Sequence, residues 1–112
     1  MASFSETEMK VVRWAEARRI IPNSTPMAQA IKTLEEVTEL LSAIQRGDQA
    51  EMRDAYGDVL VTLIVGAALA DTDIKDCLAE AYETIKDRLG YLREDGVFIK
   101  QEVVEHGDKA AY

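Results

Sequence analysis

Lys32-Thr33-Leu34-Glu35-Glu36-Val37-Thr38-Glu39 puts three carboxylates into about two turns of helix. At about 100° per residue, Glu36 and Glu39 lie on one side of a helix, with Glu35 at the edge of that side. Lys32 and Gln29 continue the stripe towards the helix start. On the next predicted helix, Asp54 and Asp58 stand four residues apart and share a face. Like charges this close repel, so stability alone does not gather them. A hard divalent cation bound by oxygen ligands would resolve the repulsion. On spacing alone, the same acids read equally well as a solvated helix face.

Working outward from this stretch, Thr25 with Pro26 marks the start of its helix and Gly47 the stop. Ala30, Leu34, Val37, Leu41 and Ile44 form its apolar side. Asp48 and Glu51 open a third helix, and the short Gly47-Asp48 break makes the two helices adjacent and antiparallel. The apolar run from Val59 to Ala70 is too short for a bilayer, which needs about 20 residues. It reads as a helix buried on nearly all sides, much of it in a homodimer interface. Upstream, Ser5 and Glu8 suggest a capping box, with Phe4 and Met9 as its hydrophobic staple, for a first helix ending near Arg19. Trp14 fits a core position or the aromatic wall of a ligand site. Asp71-Thr72-Asp73 offers caps for a fourth helix. Ile74, Leu78, Ala81, Ile85, Leu89 and Leu92 then keep a 3-4 spacing like that of a bundle seam. Asp95-Gly96 makes a turn, Val97 to Lys100 a short segment folding back, and residues 101–112 a less ordered tail.

The 112 residues fit one domain. The formal net charge of −8 disfavours nucleic acid backbones and anionic membranes. A small phosphorylated ligand remains compatible, because a bound cation can bridge acid and phosphate. Cys77 is the sole cysteine, expected as a small core residue, and His106 the sole histidine. A Ser-His or Cys-His pair is therefore disfavoured, as is a histidine-rich metal site. With neither an N-terminal secretory pattern nor a membrane span, the expected location is the cytoplasm, the host's if the chain is phage-encoded.

Glu35-Glu36-Val37-Thr38-Glu39, fifteen residues, then Ala55-Tyr56-Gly57-Asp58 resembles the EExxE…ExxD signature of MazG-like proteins. Trp14 to Arg18, Asn23 to Pro26, Gly57 to Thr62, Ile85 to Arg88 and Asp95 to Phe98 are also similar to short, phage-type members of that family. The resemblance implies an all-α, four-helix MazG-like bundle over residues 1–112, its core completed by dimerisation, as a homodimer or a dimer of dimers. It implies hydrolysis of a nucleoside triphosphate to monophosphate and pyrophosphate with Mg²⁺ or Mn²⁺. A purine deoxynucleotide such as dGTP is among the substrates it suggests. Glu36, Glu39 and Asp58 match the metal ligands, and Glu35 the residue that orients the attacking water. Gln29, Lys32, Lys86 and Arg88 match substrate-binding positions, and Trp14 joins them as a wall for the base. The signature's remaining acid falls at Ala55, so Asp54 is the candidate replacement. Glu83 stands where family members often carry Asn. The competing reading, favoured by Ala55, is a catalytically inactive helical dimerisation or interaction module.

Overall fold

The computed structural model describes residues 2–101. Five helices precede a β-hairpin: α1 (Phe4–Ala17), α2 (Ile20–Asn23), α3 (Pro26–Arg46), α4 (Gln49–Leu69), α5 (Ile74–Ile85), β1 (Gly90–Leu92) and β2 (Phe98–Lys100). The chain divides after Leu78 into two compact units. The expected tail lies almost wholly outside the described residues.

The first unit is organised by the antiparallel pair α3–α4. Thr25 Oγ1 accepts from the Ala28 N–H, and Pro26 needs no partner for its missing N–H, so α3 starts where the sequence suggests. It stops at Gly47, which takes the left-handed conformation at φ 68°. Asp48 accepts from the Glu51 N–H at 3.1 Å and starts α4 at once. With only two residues between them, α3 and α4 must fold back on each other.

The packed side of α3 mixes polar and apolar residues, with Gln29, Thr33, Glu36, Val37 and Leu40 half-buried and Ala43 buried. Thr33 Oγ1 lies 2.7 Å from Thr62 Oγ1 across the seam. One turn away, a Cβ added at Gly66 would sit 3.3 Å from the Gln29 Cβ, so the missing side chain lets the helices approach closely. Ala43 and Ala55 are buried. On the opposite face of α3, Met27, Ile31, Leu34 and Leu41 are 52–70% exposed. Leu34 and Leu41, on the apolar side that the sequence suggests, thus stay outside the α3–α4 contact, where small and hydroxyl side chains meet. In the apolar run of α4, Thr62, Ile64 and Val65 are buried within the chain, whereas Leu60 and Leu63, with Tyr56 just before the run, form an exposed stripe.

At the start of α1 the capping box uses Ser3 and Glu6, two residues earlier than expected: Ser3 Oγ accepts from the Glu6 N–H, and Glu6 Oε1 from the Ser3 N–H. Glu8 is engaged elsewhere. It is buried, and its Oε2 accepts from the Lys75 N–H at 3.2 Å, which ties the start of α5 to α1. Asp73 caps α5 through the Asp76 N–H. This backbone bond, first of all, holds the Asp73 carboxyl below the usual carboxylate range. Cys77 is exposed, 3.7 Å from Thr72 Oγ1, and not the core residue its spacing suggests.

In the second unit the helical seam does not reach Leu92. Helix α5 ends at Ile85, and Gly90–Leu92 pairs antiparallel with Phe98–Lys100. Gly90 explains the switch: a Cβ there would lie 2.1 Å from the Ile99 carbonyl oxygen. The turn between the strands carries Gly96 at φ 92° and an Arg93–Asp95 ion pair. The expected Asp95-Gly96 turn and fold-back segment are both present.

Candidate active site

Two hollows border the acids of α3 and α4. The larger, about 720 Å³, is lined by Trp14, Arg19 and Ile20 at one end, by Asn23, Ser24, Gln29 and Lys32 along its side, and by Glu35, Glu36 and Asp58 at the other end. The smaller, about 100 Å³, is lined by Glu36, Glu39, Ser42, Arg46, Glu51, Asp54, Ala55 and Asp58. Glu36 from α3 and Asp58 from α4 line both and so stand in their common wall. Of the other acids, Glu35 borders the larger hollow, and Glu39 and Asp54 the smaller.

The reason for this meeting is helical register. Gln29, Thr33 and Glu36 follow one another along the buried side of α3, while Gly66, Thr62 and Asp58 run the opposite way along α4. With Gln29 against Gly66 and Thr33 against Thr62, the next layer brings Glu36 and Asp58 to the same seam. Burial raises the Asp58 carboxyl above its ordinary value, and the neighbouring carboxylates of Asp54 and Glu36 raise it further. Lys32 opposes them: its Nζ lies 3.5 Å from both Glu35 Oε1 and Glu36 Oε1, and Glu35 is the main cause of its raised pKa. An ammonium already holds a cation's place beside these acids. Among the described residues, no three carboxylates converge into a finished metal cage. The available donors are nevertheless hard oxygens from two helices, the set that Mg²⁺ or Mn²⁺ takes.

Ala55 is 5% exposed and lines the smaller hollow, to which it brings no oxygen. Asp54, one residue earlier, lines the same cleft, and its carboxylate helps to raise the Asp58 carboxyl. Among the expected substrate-binding residues, Gln29, Lys32 and Trp14 line the larger hollow. Arg18 lies over the Trp14 ring at 6.0 Å. Lys86 and Arg88 belong to the second unit, where Lys86 pairs with Glu83 at 2.7 Å.

Residues 25–91 match the MazG nucleotide pyrophosphohydrolase domain. The chain belongs to that family. A relative from Haemophilus phage HP1 (strain HP1c1), described as an uncharacterized 18.2 kDa protein in the rep-hol intergenic region, is 32% identical over 65 residues. The alignment spans 58% of this chain and 40% of the relative. No solved structure matches the chain. The MazG match takes in both acid-bearing helices; Trp14, Arg19, Asn23 and Ser24 lie before it.

Arg19, Asn23 and Ser24 were not singled out as site residues by their spacing. Arg19 adopts φ 62°, uncommon for a residue with a side chain, and its carbonyl oxygen accepts from Asn23 Nδ2 at 2.9 Å. The signal in the sequence is the Asn23-to-Pro26 stretch, part of the family resemblance, of which Asn23 and Ser24 line the hollow.

Proposed function

We propose that this MazG-family chain is a metal-dependent pyrophosphohydrolase that converts a nucleoside triphosphate to the monophosphate and pyrophosphate. The supporting observation is the position of Glu36 and Asp58 in the wall between a nucleotide-sized hollow and an acidic cleft. In this reading the base and sugar occupy the hollow and the phosphates approach the wall.

Glu36, Glu39, Asp54 and Asp58 are the residues that would hold Mg²⁺ or Mn²⁺, which screens phosphate charge and polarises water. Asp54 supplies the acid missing at Ala55. Lys32, beside Glu35 and Glu36, draws the phosphates towards the acids by its positive charge. Glu35 borders the hollow and is well exposed, so it can orient a water and accept its proton. The water oxygen bonds to the α-phosphorus, the bond to the bridging oxygen breaks, and pyrophosphate leaves with that oxygen. Lys86 and Arg88 are proposed to contact the phosphates.

A dimer is part of the proposal. The exposed stripe Met27, Ile31, Leu34 and Leu41 on α3, with Tyr56, Leu60 and Leu63 on α4, offers apolar area that a second copy would bury. Ala55, which lines the acidic cleft where the signature carries an acid, favours the second reading, a helical interaction module without catalysis.

The test is pyrophosphate release from a panel of ribo- and deoxynucleoside triphosphates, dGTP included, with Mg²⁺ or Mn²⁺. The expected result is metal-dependent release, lost in Glu36→Gln. Absence of release from every nucleotide, with the protein folded and metal present, would reject catalysis in favour of the interaction module.

A further inference from the structure

Several features compete for a further role. The buried Glu8 is engaged in tying α5 to α1, and the hollow beside it offers no second group that names a ligand. The two amides at the far end of the large hollow can each donate as well as accept, so they select no base. The exposed apolar stripes are already assigned to the proposed dimer. Arg46, at the end of α3, carries more information, because it is a cation set in the acidic cleft without an acid for a partner.

Helix geometry puts it there. Glu36, Glu39, Ser42 and Arg46 follow one another at three- and four-residue steps along α3, and all four line the smaller hollow. Arg46 stands in the last turn of the helix. Its side chain turns back along the axis, and Nη1 donates to Ser42 Oγ. Long helical side chains lean towards the N-terminus, which is the direction Arg46 takes. A cation in the last turn suits the helix dipole. That accounts for the charge but not for the bond to Ser42, which draws the guanidinium over the cleft instead of releasing it to solvent.

What the guanidinium leaves untouched points to a ligand. Glu36, Glu39, Glu51, Asp54 and Asp58 line the same hollow. Among the described residues, none of these acids forms an ion pair with Arg46. A guanidinium keeps its proton and carries several N–H donors in a planar fork, so one bond to Ser42 leaves most of the fork open. An anion with several oxygens suits such a fork best. Ser42 is six residues beyond Glu36, a rise of roughly 9 Å along the axis. Arg46 therefore stands beyond the Glu36–Asp58 wall, and Lys32, which lines the large hollow, stands before it.

We infer that Arg46 binds the β- and γ-phosphates of the substrate, the part that leaves as pyrophosphate. This rests on the pyrophosphohydrolase reading for the substrate and for the metal. With the nucleoside in the large hollow and the α-phosphorus at the wall, the rest of the phosphate chain enters the smaller hollow. The acids there would repel it on their own. The cation they are proposed to hold screens that charge, and the fork of Arg46 takes the terminal oxygens in hydrogen bonds. A monophosphate ends at the wall and gains nothing from Arg46. The residue thus makes the site prefer a triphosphate to its own product.

The test measures Kd by calorimetry, with Mg²⁺ present, for the four common deoxynucleoside triphosphates carrying an uncleavable α,β-imido bridge and for their monophosphates. Native protein is compared with Arg46→Gln and with Arg53→Gln, which removes the same charge from α4 outside both hollows. The expected result is that Arg46→Gln weakens the tightest imido triphosphate about tenfold or more and leaves its monophosphate within about twofold, whereas Arg53→Gln alters neither. An equal weakening of both ligands with native circular dichroism, an equal effect of Arg53→Gln, or no effect of Arg46→Gln overturns the inference. Should Arg46→Gln lose its native circular dichroism, Arg46→Lys, which keeps the charge without the fork, is held to the same outcomes. If no nucleotide is hydrolysed, the enzymatic reading fails separately and the Kd comparison still decides Arg46. Imido triphosphates that bind native protein no tighter than their monophosphates then overturn this inference too.

Discussion

Individual side chains in the acid cluster are separable by their surroundings. Glu36 and Asp58 share the wall between the two hollows, so replacing either should affect substrate and metal together. Asp58→Asn should lower kcat/KM by more than about 100-fold, since even residues that only support metal ligands cost 10–100-fold. Its circular dichroism should stay native. Activity within about threefold of native would remove Asp58 from the proposed ligand set. Asp73 makes a different kind of prediction. Its folded pKa is depressed, chiefly by the Asp76 N–H bond, so its ionised form contributes stability above the unfolded carboxylate value of 3.8. That contribution disappears as pH falls through the lower folded value. Comparing denaturation of native and Asp73→Ala protein from pH 6 downwards should show a stability difference that closes only in strong acid.

At the scale of elements, the α3–α4 seam sets the distances within the site. A methyl at Gly66 meets Gln29 Cβ at 3.3 Å, and the neighbouring Thr33–Thr62 bond leaves little room to shift. Gly66→Ala should therefore cost about 1 kcal/mol by overpacking, read from the denaturant midpoint, and should raise KM more than it lowers kcat. Helix ends were legible in the sequence because their chemistry is local: Thr25-Pro26, Gly47 and Asp48 act on amides within a few residues of themselves. The first helix start is ambiguous in the sequence because two registers fit, Ser3-x-x-Glu6 and Ser5-x-x-Glu8. Only the long-range bond from Lys75 to Glu8 decides between them. The meeting of the acids was legible from their spacing, but the packed face of α3 was not. Hydrophobic periodicity points to Leu34 and Leu41, whereas close helix approach selects Thr33, Ala43 and Gly66. The hairpin at Gly90 was hidden for a related reason, because a helical spacing continues through Leu89 and Leu92 and the pairing with Ile99 is invisible in local sequence.

For the whole molecule, the proposed dimer would bury the exposed leucines of α3 and α4 and so make stability depend on association. Leu34→Glu should shift sedimentation from dimer to monomer and make Tm lower and independent of protein concentration. An unchanged dimer would move the interface off that stripe. The brief connection at Gly47-Asp48 has a consequence in time as well as in space. It makes the proposed metal ligands neighbours along the chain, so they can meet after closure of a short loop, before distant segments such as α1 and the start of α5 join. A hairpin of this kind is a natural folding nucleus. Metal should then act on the transition state as well as on the native state. In stopped-flow experiments, added Mg²⁺ should speed refolding and leave unfolding nearly unchanged. The opposite pattern would show that the acids come together only after the rest of the protein has folded around them.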